Sequence, residues 1–386
     1  MDDGLLTVGV EEEFLLVDPR TGEPLARNVD VARTAEEIGI DLQLELTRCQ
    51  VETSTAVHTE IGALHRQLRE LRRGIAACAE RNDARLLAVG IPPTVPHDFP
   101  VTDTPRYQRI AENFGMLAHE QGLSGCHVHV GIPDQETAIQ VSNHLRPWLP
   151  QLLAMTANSA IYRGSETGFA SWRSILWRRW PSAGPPPYFE SARDYEAMVA
   201  MMLNSGSILD KQMVYWDVRP SVSFPTVEIR VSDIPATVEE TALLAALVRA
   251  IVVMARKSLT AGQLAPPVPA EVLRAAYWKA ARSGLAGDGV DPHDGNVTPM
   301  RDLLFRLIEH VEPALDEAGD RRFVDEAFAR LLARGNGAHR QIAALRARGE
   351  IDDVVEAVAR ATLEGCGQPR TRGSVRSAER DDSQSR

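Results

Sequence analysis

Cysteine is scarce and scattered. Cys49, Cys78, Cys126 and Cys366 stand far apart in 386 residues and form no C-x-x-C. This argues against a disulfide framework or a zinc knuckle and fits a reducing, cytoplasmic setting. Long apolar runs are absent too. The best candidate, residues 242–254, is interrupted by Arg249 and falls short of the roughly 20 residues that cross a bilayer. The N-terminus shows no basic start followed by an apolar core, so neither a signal peptide nor a membrane association is expected. Positive charge is in deficit. A formal net charge of −11 argues against nucleic acid as a partner, since binding it needs a basic surface. The chain has no GxxxxGK[ST] loop, no nucleotide-binding GxGxxG fingerprint and no GxSxG elbow. If phosphate is handled here, carboxylate-held metal ions and arginines must do it.

Against these absences, carboxylates occur where a strand should be apolar. Val10-Glu11-Glu12-Glu13-Phe14 lies inside the apolar run of residues 5–17, and buried carboxylates are costly unless paired. Residues two apart in a strand point the same way. Glu11 and Glu13 therefore share one face, and Glu12 joins Val8, Val10 and Phe14 on the other. Two carboxylates on one strand face suit a hard, oxygen-loving cation such as Mg2+. Gly125-Cys126-His127-Val128-His129-Val130 and Val227-Glu228-Ile229-Arg230-Val231 repeat the design. His127 and His129 share a face, a common metal or phosphate arrangement, and zinc competes for them although no HExxH supports it. Glu228 can complete a metal site while Arg230 stabilises charge on a moving phosphoryl group. Gln50 and Glu52 also share a face. Each motif has a plainer structural reading: a salt-bridge cluster, a hydrogen-bonded strand histidine, a cross-strand ion pair.

The remaining pattern frames these strands. Further strands are expected at 42–52, 84–90, 214–219 and 226–231, with 124–132 bearing the histidines. Helical spacing of Ile61, Leu64, Leu68, Leu71 and Ile75 predicts a helix over 58–82. Another is expected over 137–159, broken at Pro147 and Pro150, and a third over 191–203. Residues 91–105 are Pro-rich and read as a loop. Residues 163–188 mix arginine, tryptophan, glycine and proline and read as a long irregular segment, the kind that often carries function. Its arginines suit carboxylate or phosphate recognition. From the capping box Thr237-Val238-Glu239-Glu240 the chain turns helical, at 238–259, 270–283, 299–318, 321–334, 337–348 and 351–363. Strands first and helices after is an α+β pattern. One catalytic domain over 1–366 is expected, strand-rich to 231 and mostly helical from 232, followed by a disordered polar tail, 367–386.

In combination and order, these segments resemble the carboxylate–amine ligase family, also called glutamate–cysteine ligase type 2, of the glutamine synthetase superfamily. The resemblance spans about residues 7–259. It is carried by Gly9-Val10-Glu11-Glu12-Glu13-Phe14, Gln50-Val51-Glu52, Ser124 to Gly131, Asn158 to Gly164, Thr167 to Arg173, Trp216-Asp217-Val218-Arg219-Pro220 and Thr226 to Arg230. One departure is visible: Ala160 and Tyr162 stand where the family more often has Pro and Trp.

The resemblance implies a glutamine synthetase-like fold, a curved antiparallel sheet forming a funnel backed by helices. It also implies ATP-dependent joining of a carboxylate to an amine. By motif position, Glu11, Glu13, Glu52, His127 and Glu228 are the expected Mg2+ ligands. His129 is expected near the ATP phosphates, and Arg230 near the γ-phosphate as a catalytic group. Arg163, Arg173 and Arg219 are expected to contact substrate, with Arg173 also catalytic. L-glutamate and an amine such as L-cysteine are the expected substrates, and a homodimer the expected assembly. Alternatives on the same fold are another amine, a hydrolase, or a non-catalytic nucleotide- or metal-binding protein. An ATP-independent metal amidohydrolase is a further one.

Overall fold

The computed structural model describes residues 5–94 and 99–367. Its centre is a seven-stranded sheet. The strands are β1 (Val8–Val17), β2 (Leu42–Leu44), β3 (Gln50–Ser54), β4 (Arg85–Leu87) and β5 (Gly125–Gly131). After the small hairpin of β6 (Ile161–Tyr162) and β7 (Ser165–Glu166) come β8 (Val218–Pro220) and β9 (Thr226–Asp233). The order is β2-β3-β1-β5-β9-β8, with β4 also on β1, and every pairing is antiparallel. A second hairpin, β10 (Asp288–Val290) with β11 (Val297–Pro299), lies apart.

The register across this sheet decides what its faces carry. Glu13 pairs with Glu52, Glu11 with His127, His129 with Glu228, and Glu228 with Arg219. Directly opposed residues share a face, so five strands contribute polar side chains to one surface. The pairing of β5 with β9 shifts between Cys126 and Val128, a bulge of the kind that re-aims side chains beside a site.

The other face is apolar and closed by helices. Val8, Val10, Val128, Val130, Ile229 and Val231 pack in one core with Leu64 and Leu68 of helix Ile61–Glu80 and Leu244, Leu247 and Ile251 of helix Val238–Thr260. The expected helical stripe is the reason: Ile61, Leu64, Leu68 and Ile75 are all buried. Glu12 faces this core with no exposure and is paired there. Arg72 Nη2 and Nε reach its carboxylate at 2.5 and 3.1 Å, and the Thr241 hydroxyl donates to it at 2.7 Å. Arg72 also donates to the carbonyls of Pro235, Ala236 and Thr362. This ion pair therefore ties β1 to three helical segments.

Three expectations about elements need correction. Residues 42–52 are not one extended stretch: β2 and β3 pair with each other across a turn. There the Thr47 side chain and carbonyl accept from the N–H groups of Cys49 and Gln50. Segment 163–188 is not irregular throughout. It holds helix Trp172–Trp177, started by Ser171, whose hydroxyl accepts from Ser174 N–H. Helices Asn28–Glu36 and Pro105–Phe114 were not foreseen. Each shows few buried apolar residues, Val31 and Ala35 in one and Ile110 and Ala111 in the other. The proposed tail beyond Gly367 lies outside the described residues. All four cysteines are buried and unpaired, and among the described residues no helix is long and apolar enough to cross a membrane.

Candidate active site

The polar face of the sheet floors a cavity of about 360 Å³. Glu11, Glu13, Glu52, His127, His129 and Glu228 all line it, with Arg173, Arg219 and Arg230 around them. Nine of the ten residues singled out in the sequence thus meet in one place. Arg163 does not. It is exposed at the turn between β6 and β7, at φ +51°, with its guanidinium over the Tyr162 ring. It does not line the cavity, so the structure does not bring this expected substrate contact together with the others.

The ligand-bearing atoms converge. His127 Nδ1 is 3.1 Å from Glu11 Oε2 and 3.8 Å from Glu52 Oε1, and its Nε2 is 3.5 Å from Glu13 Oε1. His129 Nε2 is 3.4 Å from Glu11 Oε1, while its Nδ1 is fixed by the Thr226 hydroxyl at 2.9 Å. Glu13 Oε2 accepts from Gly125 N–H at 2.6 Å. Three groups offer closely spaced donor atoms: Glu11, His129 and Glu228; Glu11, Glu52 and His127; and Glu13, Glu45 and Glu52.

Electrostatics divide the carboxylates. Burial pushes the Glu11 carboxyl up, but its close contacts with His127 and His129 outweigh it and hold Glu11 well below the usual range. Burial likewise opposes ionisation of Glu228, and the neighbouring Arg219 and Arg230 reverse the effect. Glu52 goes the other way. Burial, and then repulsion from Glu45, Glu11 and Glu13, raise its carboxyl well above normal. Glu45 is pushed up to about 7 by burial and the charge of Glu13. Burial and the Arg230 charge lower the His127 pKa, keeping the imidazole neutral.

These features fit a bound cation on two independent observations. His127 Nε2 and His129 Nε2 are buried without a hydrogen-bond partner, and neutral imidazoles are what metals take. In the Glu13–Glu45–Glu52 group, burial and mutual repulsion push Glu45 and Glu52 toward their protonated forms, a cost of ionisation that a hard divalent ion would relieve.

The arginines differ in their tethers. Arg219 Nε donates to Glu228 Oε2 at 2.9 Å and its Nη1 to the Gln212 carbonyl at 2.9 Å. Arg230 Nη1 donates to Glu228 and lies 3.2 Å from His127 Nδ1. Burial alone would weaken the Arg230 cation, but Glu228 and Glu13 more than offset it, so the charge persists. Arg173 is buried at the rim and lies over Trp177.

Sequence reasoning missed Glu45, which brings a further carboxylate to Glu13 and Glu52. Its signal was the alternation Leu42-Gln43-Leu44-Glu45-Leu46, which puts Gln43 and Glu45 on the face opposite the leucines. It also missed Tyr107 and Tyr215, which wall the cavity; isolated aromatics carry no spacing that marks them.

A sheet with this polar face, closed behind by helices, has the glutamine synthetase-like α+β fold of carbon–nitrogen ligases, and comparisons with known proteins agree. The structure is similar to a glutamate–cysteine ligase from Francisella tularensis solved in complex with AMP. The TM-score is 0.64 at 13% identity, over 93% of this chain and 89% of that one. It is also similar to a bifunctional glutathione synthetase from Pasteurella multocida, again with a TM-score of 0.64 and 13% identity, over 94% of this chain and 52% of that one. The sequence profile described as glutamate-cysteine ligase family 2 (GCS2) matches residues 7–357, and the chain belongs to that family. It is 72% identical over 360 residues to a protein of Nocardia farcinica provisionally named glutamate–cysteine ligase 2-1, covering 93% of this chain and 94% of the relative. It is 59% identical over 358 residues to one from a Mycobacterium species provisionally named glutamate–cysteine ligase 2-2, covering 92% and 98%.

Proposed function

We propose that the protein is an ATP-dependent carboxylate–amine ligase of the cytoplasm. It joins the γ-carboxyl of L-glutamate to an amine, L-cysteine or another amino compound. The observation that carries this reading is the meeting of five carboxylates, two imidazoles and four arginines in one cavity on the sheet. Family membership and the names of the relatives support it. In the reaction, a γ-carboxylate oxygen attacks the γ-phosphorus of ATP and ADP leaves. The amine nitrogen then attacks the activated acyl carbon, phosphate departs, and the amine proton passes to solvent or a neighbouring base. Activation is needed because an amine does not displace a carboxylate oxygen unaided.

Glu11, Glu13, Glu45, Glu52, His127, His129 and Glu228 would hold Mg2+. When bound, the ion screens the repulsion between the two anionic reactants. The chain's own groups do the rest. Arg230, its cation strengthened by Glu228 and Glu13, lines the cavity, where it would take charge developing on the transferred group. Arg219 holds Glu228 in place. Arg173 offers donors to a substrate carboxylate. The wall built from segment 163–188 would keep water from the activated acyl group.

The test is ADP release by the purified protein with ATP, Mg2+ and L-glutamate, with and without a panel of amines. Amine-dependent ADP release with a product of matching amide mass is expected, and Glu11→Gln should abolish it. ADP release indifferent to every amine would overturn the ligase reading in favour of hydrolysis.

A further inference from the structure

Arg173 stands apart from the other arginines of the cavity. Arg219 and Arg230 donate to Glu228, and Arg106 donates to Asp210 at 2.8 Å. Among the described residues the Arg173 guanidinium makes no hydrogen bond. Its Nε is buried without a partner, and its Nη1 is 3.9 Å from Asp233 Oδ1, beyond hydrogen-bonding reach. At 3% exposure the residue has little access to water. A buried cation with open donors is costly, and the forked donors of arginine suit a carboxylate.

What fixes Arg173 in this position is Asp233, the last residue of β9, which is fully buried. Asp233 Oδ2 accepts from Asn158 N–H at 2.8 Å and from the Ser159 hydroxyl at 2.6 Å, and Oδ1 accepts from the Ser171 hydroxyl at 2.8 Å. Ser159 Oγ in turn accepts from Arg173 N–H at 3.0 Å, and Ser171 Oγ starts the short helix that bears Arg173. One carboxylate therefore holds both the strand edge and the helix start around this arginine. With three donors already bound, it orients Arg173 without claiming the guanidinium. Two glycines leave the room required. A Cβ on Gly125 would lie 2.3 Å from Arg173 Nη2, and one on Gly90 would lie 3.0 Å from Asp233 Cγ and 3.1 Å from Ser159 Cβ.

We infer that Asp233, acting through Ser159 and Ser171, is a positioning residue that aims the Arg173 guanidinium into the cavity to receive the carboxylate of an acidic substrate, with Gly125 left bare to let it lie there. The inference rests on the ligase reading for the identity of that substrate, but the placement of Arg173 does not. Asp233→Asn, Gly125→Ala and Arg173→Lys, with the two pairwise combinations carrying Arg173→Lys, separate the two. Each single variant should raise the KM for L-glutamate by roughly tenfold, the scale of one charge-assisted hydrogen bond, with the KM for ATP unchanged. Neither Asp233→Asn nor Gly125→Ala should raise it further once Arg173 is lysine, because both act through that side chain. A merely structural role would lower the melting temperature and the active fraction and leave the KM for glutamate alone. Crystal structures of Asp233→Asn and Gly125→Ala supply the reading that needs no activity. A displaced Arg173 guanidinium is expected in both. An undisplaced guanidinium, or KM effects that add to that of Arg173→Lys, overturns the inference. A wild type inactive with glutamate while the guanidinium still moves would overturn the substrate assignment instead.

Discussion

Glu45 and Glu52 show how far a single side chain here depends on its neighbours. Burial and the surrounding carboxylates raise both, Glu45 to about 7. A metal takes the deprotonated carboxylate, so Mg2+ binding near pH 7 should release protons, and affinity should rise with pH through that range. Calorimetric titrations in buffers of different ionisation enthalpy should read this release, and Glu45→Gln should diminish it. The sign for stability is opposite. A carboxyl raised in the folded state stabilises the metal-free protein only while protonated, so its contribution is lost as pH rises from about 4.5 to about 7. Without metal at pH 8, Glu45→Gln should therefore melt above the wild type, a result thermal denaturation checks directly. At this scale the sequence was readable where charge broke an apolar strand pattern, as at Glu11, Glu13 and Glu228. It was mute at Glu45, which directly follows a three-residue strand, and at Asp233, whose partners Asn158, Ser159 and Ser171 lie more than 60 residues away.

Elements gain their meaning from register. Because β1 alternates, Glu11 and Glu13 reach the cavity only if Glu12 enters the core, and there it meets Arg72 with neither side chain exposed. A one-residue slip would exchange the faces. Removing one partner of such a pair leaves a buried charge uncompensated. Arg72→Ala should cost about 3–5 kcal/mol in chemical denaturation, whereas replacing Glu12 and Arg72 together by apolar residues of similar volume should cost much less. The face assignment of β1 and the helix 61–80 that answers it were legible from periods of two and 3.6. The closing of 42–52 into a hairpin was not, because the turn depends on hydrogen bonds of Thr47 rather than on glycine or proline. Helix Trp172–Trp177 was hidden because six residues are too few for a repeating apolar stripe.

The whole molecule couples its strand-rich and helical parts tightly. Thr362, at the end of helix Ile351–Thr362, accepts from Arg72 with its carbonyl and from Ala88 N–H with its hydroxyl. Gln341 donates to Asn158, beside Asp233. If residues 1–366 form one domain, calorimetry should show one cooperative unfolding transition, and truncation after Arg348 should yield no soluble protein. The order of strands before helices made the α+β class readable, whereas the return of the last helix to the back of the sheet depends on contacts nearly 300 residues apart. What such a scaffold is for comes down to the fate of an oxygen atom. L-glutamate labelled with 18O in its γ-carboxyl, incubated with ATP, Mg2+ and the amine that supports turnover, should pass an 18O atom into the released phosphate, seen as an isotope shift by 31P NMR. Amide product accompanied by unlabelled phosphate would contradict transfer of the phosphoryl group to the carboxylate.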